Sequence, residues 1–289
     1  PEYGKVFIAI ESTTGNNLTD TEKSTLITAL SPFTVASITP VIVDPQTTNL
    51  ILGVNFLFDS SKTTETTTSL ASKINTTLTN YNTTDLAQFD GAFRHSKVTG
   101  LIDDTDTAIT SNITTVTLAH NLTPTLNAST AYTIQLNNRF SNPHTDHNKA
   151  AGGILASTGF KVSGDATNVQ FFDDDGAGNI RRYYLTAGVR QYQDNTAGTI
   201  TYSTGEIKIN TINITSVEEV DEAASTFIRL TVTPDSLDIV PVRNQILKID
   251  FVNTSIIGAV DTVTTGDSST GTSASASTTT SSTATTSSY

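Results

Sequence analysis

Residues 5 to 11, Lys-Val-Phe-Ile-Ala-Ile-Glu, form a short β-branched and aromatic run, and a Ser-Thr-Thr-Gly-Asn-Asn cluster closes it. This pattern predicts a first strand followed by a turn. Thr19 or Asp20 then opens a segment with Leu26, Ile27 and Leu30 on one face and Glu22 and Lys23 on the other, ending at Pro32, as a capped amphipathic helix does. Val35 to Val43 and Leu50 to Phe58 are extended runs separated by Asp44-Pro45, and they predict a strand pair. From Thr64 to Tyr81, the positions Leu70, Ile74, Leu78 and Tyr81 recur at helical spacing. Phe89, Phe93, Val98, Leu101 and Ile102 suggest a third helix, and Ile113 to Leu118 alternates apolar residues with Thr as a strand should. Apart from the extra helix, this order is that of a ferredoxin-like split βαβ domain, an antiparallel sheet covered on one face by helices.

Beyond about residue 122 the helical stripes stop. Short runs between Gly, Asn and Asp take over: 132–136, 160–162, 169–172, 182–185, 199–202, 207–214, 227–232 and 246–251. So many short strands predict an all-β domain. The expected class is therefore α+β: a ferredoxin-like domain over 1–121, a β-rich domain over 131–263 and a tail over 264–289, with the boundary in Asn121 to Thr130. Residues 265–289 hold 18 Ser or Thr and no large aliphatic residue. Alone, such a stretch cannot bury enough surface to offset the entropy of ordering it.

Composition narrows the functional classes. A formal charge of −12, from 28 acidic against 16 basic residues, repels a phosphate backbone, so no nucleic-acid partner is expected. No apolar stretch approaches the roughly 20 residues that a membrane span needs, and none resembles a signal peptide. With no cysteine, disulfides, thiolate metal sites and cysteine nucleophiles are all excluded.

The chemistry candidates are weak. His144-Thr145-Asp146-His147 places two imidazoles and a carboxylate together, but Pro143, Asn148, Gly152 and Gly153 put them in a loop without the rigid face of a helical ligand pair. Asp173-Asp174-Asp175-Gly176 begins like a calcium loop, yet position twelve is Tyr184 and the flanks are strand-like, which favours a hairpin turn. The acidic runs Asp103-Asp104-Thr105-Asp106 and Glu218, Glu219, Asp221, Glu222 read as solvated loops. Gly176-Ala177-Gly178 lacks the third glycine and the lysine of a phosphate cradle, and no nucleophile elbow exists. No catalytic residue, cofactor or metal is expected.

Three stretches carry a resemblance: Pro1 to Ile10; Tyr81 to Leu86 with Gln88 to Arg94; and Asp238 to Phe251. In that order they resemble the C-terminal half of the baseplate wedge protein of T4-like contractile-tailed phages, a relative of the baseplate J-like group. The resemblance spans most of residues 1–263; the Ser/Thr tail departs from it. It implies that an N-terminal portion precedes Pro1 in longer family members. It also implies a non-enzymatic virion subunit, assembled in the host cytoplasm, that pairs with itself as a homodimer and with other wedge proteins in a ring around the tail tube. On this reading Phe89 and Phe93 face the core while Gln88, Asp90 and Arg94 contact a neighbour. Val240, Arg243 and Asn244 are the other candidate interface residues, because Val240, Val242, Ile246, Ile249 and Phe251 exceed the apolar needs of one small domain and Pro241 favours a sheet edge. The competing reading has all five apolar residues in the domain's own core. Two other functions are weighed: a β-rich adhesin or tail-fibre binding module with the tail as a stalk, and a metal-dependent hydrolase resting only on His144 and His147.

Overall fold

A computed structural model describes residues 4–11, 18–34, 38–142 and 153–262. The His144–His147 cluster and the tail from 263 onward lie outside the described residues. The first elements are β1 (Lys5–Ala9), α1 (Asp20–Leu30) and β2 (Thr39–Val43). Thr19 caps α1 reciprocally with Glu22, each side chain accepting the other residue's backbone N–H, at 3.3 Å and 2.8 Å. β1 and β2 pair in parallel and, among the described residues, only with each other. Nothing in α1 is fully buried, and Val6, Phe7, Phe33 and Ile38 stay exposed.

The long strand β3 (Gln46–Phe58) follows, then α2 (Thr67–Tyr81), α3 (His95–Asp103) and β4 (Ile109–Leu122). Along β3, Leu50, Leu52, Val54, Phe56 and Phe58 are all buried, in one cluster with Leu70, Ile74 and Leu78 of α2 and Val98 and Ile102 of α3. The period-two pattern of the strand meets the 3.6-residue stripe of the helices, and that meeting is the core of this half.

The split βαβ expectation fails here. A ferredoxin-like sheet needs all four of its strands side by side, whereas β1 and β2 form their own two-stranded sheet and β3 pairs antiparallel with β4. The reason is competition for an edge. The other side of β3 is taken by β13 (Gln245–Ile249) over 46–50 and by β14 (Ser255–Val260) over 53–58, both parallel, leaving no place for β2. The predicted strand pair Val35–Val43 with Leu50–Phe58 is therefore absent; residues 35–37 are not among those described. The molecule is mostly β.

The remaining strands are β5 (Ser129–Gln135), β6 (Leu155–Ser157), β7 (Phe160–Val162), β8 (Asp165–Asp174), β9 (Asn179–Thr186), β10 (Val189–Thr201), β11 (Glu206–Val217) and β12 (Ile228–Val232). β7 to β11 close into a barrel, each paired antiparallel to the next and β11 back to β7. Strict alternation of direction cannot run around a ring of five straight strands, so strands must bend. β10 and β11 do so at register shifts, among them those between Tyr192 and Asp194 and between Ile209 and Ile212. Phe160 and Phe172 stack inside, 4.6 Å apart, with Ile180, Ile200, Ile207 and Ile214 buried in the same core. β6 and β12 link the barrel to β4 in one continuous sheet.

Candidate assembly surface

The segment after α2 is built tightly. A single π-type turn over Asn82–Leu86 buries Leu86, Asp90 takes a positive φ of 65°, and Gly91 follows. A Cβ on Gly91 would lie 2.2 Å from the Leu86 carbonyl oxygen, so only glycine fits this turn. The helix expected from Phe89 onward begins only at His95, because this turn occupies the preceding residues. Phe93 is fully buried, edge-on to Tyr81 at 6.4 Å, while Phe89 is half-buried.

Phe93 and Ile239 exchange both backbone hydrogen bonds, at 2.9 and 3.0 Å. Beside them, Arg94 Nη1 donates to Asp238 Oδ2 at 3.1 Å, and the His95 backbone N–H donates to Asp238 Oδ1 at 2.9 Å. Arg94 offers no side-chain cap to α3, so Asp238 fills that role from far along the chain. The His95 N–H first, and the Arg94 guanidinium second, hold the Asp238 carboxyl below the usual carboxylate range. Asn82 Oδ1 accepts the Ile249 N–H at 2.8 Å, which ties β13 to the same turn. The Tyr81–Arg94 and Asp238–Phe251 stretches are thus docked against each other.

Gln88, Asp90 and Arg94 are exposed on one strip of this junction, and Val240 and Arg243 are exposed on the other. Asn244 is half-buried, its carbonyl accepting the Gln46 N–H at 2.8 Å. The apolar residues of the second strip divide: Ile246 and Ile249 are core, Phe251 is half-buried, and Val240 and Val242 remain 47% and 38% exposed. Gln245 fixes the bend between them. Its buried amide donates to Thr48 Oγ1 at 2.6 Å and to the Leu136 carbonyl at 3.1 Å, and its Oε1 accepts the Val242 N–H at 3.2 Å.

Several acidic groups elsewhere are tied up within the fold. Asp173 is buried against Arg181 Nε at 2.9 Å, Arg190 Nη1 at 2.7 Å and the Tyr192 hydroxyl at 2.8 Å. Asp174 accepts from Leu155 N–H at 2.8 Å and the Tyr202 hydroxyl at 2.6 Å, and burial first, with that bond second, drives the Tyr202 pKa far up. Asp175 folds the hairpin turn, taking the Ala177 and Asn179 N–H groups at 2.8 and 3.0 Å. Asp106 pairs with Lys73, and Asp221 with Arg229. Among the described residues, no group of three His, Asp or Glu is placed to hold a metal ion, and no helix is long and apolar enough to cross a membrane.

Residues 1–43 match the family model described as baseplate structural protein gp6, C-terminal domain I, and residues 52–121 match gp6 C-terminal domain III. Over these two segments the chain is similar to the gp6 baseplate structural family. No curated protein matches it. On the structure, the gp6 domain I match covers the β1–α1–β2 unit, and the domain III match runs from within β3 through both helices to the last turn of β4. The gp6 matches support a structural role in a phage baseplate.

Proposed function

We propose that the chain is a structural, non-catalytic subunit of a contractile-tail baseplate wedge, forming part of the ring around the tail tube through contacts with its own copies and with other wedge proteins. The observation that carries this reading is the docking of Gln88–Arg94 against Asp238–Asn244. It uses Phe93, Ile239 and Asp238 internally and leaves Val240, Val242 and Arg243 turned outward. Apolar side chains held outward on a rigid turn, beside an Arg, match the composition of contact surfaces. Self-association is expected as a closed two-fold dimer, the commonest homo-oligomer.

Size exclusion with light scattering at tens of micromolar tests the self-contact. The expected mass is about twice the 30.6 kDa of one chain, falling towards one chain after Arg243→Trp. A single-chain mass throughout would remove the dimer from the proposal.

A further inference from the structure

A cleft of about 530 Å³ opens where the β3–β4 ladder ends, lined by Asp44 to Asn49, His120, Asn121 and Thr133 to Gln135. Its size is that of ligand clefts, roughly 300–1,000 Å³, and most of the residues that line it are polar. The ladder stops at Asn49 and Ala119 although both strands continue.

The backbone groups freed by this splaying can be assigned. The Gln46 N–H donates to Asn244 and the Leu50 carbonyl accepts from Asp250, so even-numbered residues here face β13 and Thr47 faces the cleft. The Arg229 carbonyl and N–H are turned to Thr158, so its partner Asn121 points its own backbone groups away from β12, into the same space. Leu136 donates to Gly205 across β11, which leaves the Thr133 backbone on the open edge of β5. Two side chains add to this. The His120 ring has no hydrogen-bond partner among the described residues, and neither has the buried side-chain Oε1 of Gln135.

We infer that this cleft is a peptide site: it takes an extended polar segment of a partner polypeptide, held by strand-type hydrogen bonds to Thr47, Asn121 and Thr133 and by His120. Backbone donors and acceptors on three converging edges recognise a main chain, and the Thr, Asn and Gln residues that line the cleft favour side chains bearing hydroxyl or amide groups.

The test follows backbone amide signals of the full chain by NMR while acetyl-Thr-Asn-Thr-Gln-Thr-amide is added, in parallel with its fully N-methylated form. The expected result is a saturable shift of the Thr47, Asn121 and Thr133 amides and of the His120 ring, absent with the N-methylated probe. Thr133→Pro removes the outward N–H without touching the β11 ladder and should weaken the probe at least tenfold, whereas Thr133→Val should retain it. No shift up to millimolar probe, equal binding of the N-methylated form, or unchanged affinity in a folded Thr133→Pro chain would each overturn the inference.

Discussion

Arg94 and Asp238 stand 144 residues apart in sequence and 3.1 Å apart in the structure. The ion pair itself is half-exposed and contributes little. What matters is that the same carboxylate caps α3, fixing the Tyr81–Arg94 and Asp238–Phe251 stretches in one geometry. Asp238→Ala should cost about 0.5–2 kcal/mol, the range for a lost N-cap, and Arg94→Ala much less. Chemical denaturation of both variants checks the order; equal losses would assign the stability to the ion pair instead.

Because the Asp238 carboxyl is held below its ordinary value, its contribution is present above about pH 4 and is lost as pH falls through the lower folded-state pKa. The Asp238→Ala chain should therefore lose less stability on acidification in that window than the parent. Parallel unfolding curves from about pH 5 to pH 2 read this directly; identical pH slopes would contradict it.

Gly258 of β14 stands opposite Phe56 in the parallel β3–β14 ladder, beside Thr67 of α2. A Cβ there would stand 2.3 Å from the Phe56 ring and 2.7 Å from Thr67 Cγ2. Gly258→Ala should destabilise by about 1–3 kcal/mol through overpacking, read as a lower denaturant midpoint. A neutral result would show that Phe56 and Thr67 do not crowd Gly258 so closely.

Asp173 is shared by Arg181, itself buried, and by Arg190. Asp173→Ala strands the Arg181 charge in the barrel wall and should cost about 3–5 kcal/mol. A loss under about 1 kcal/mol would mean that water reaches the guanidinium.

Burial pushes the His120 pKa below its ordinary 6.5. The unfolded chain takes up a proton near that value that the folded chain resists, so stability is full above it and is lost as pH falls towards the folded-state pKa. An NMR titration should give a His120 midpoint under 6.5, and His120→Asn should flatten the pH slope of stability between about pH 7 and 5. A midpoint at or above 6.5 would sink the claim.

Local patterns were legible wherever one residue's neighbours decide its fate. The Leu70, Ile74, Leu78, Tyr81 stripe is the buried face of α2, and Phe160–Val162 is β7. Pairing was not legible, since β2 joining β1 depends on β13 and β14 occupying β3 from some 200 residues away, which no local period encodes. β14 itself went unseen because Gly258 breaks its pattern for a packing reason, and of β10 only the end, within 199–202, was expected, because its polar start, Arg190 to Asn195, extends as a hairpin arm rather than as a buried strand. At the candidate assembly surface, the exposure of Gln88, Asp90, Arg94 and Arg243 followed from residue type and that of Val240 from the apolar excess beside Pro241, but nothing in the spacing joined Asp238 to α3.

The central claim is that this chain is a baseplate subunit whose Gln88–Arg94 and Val240–Asn244 strips lie against a neighbour. Electron cryomicroscopy of the assembled tail measures it most directly. The account predicts density for this fold in the ring around the tube, with Val240 and Arg243 within about 4 Å of another subunit. Density for the chain in a fibre, or in the ring with both residues facing solvent, would contradict it.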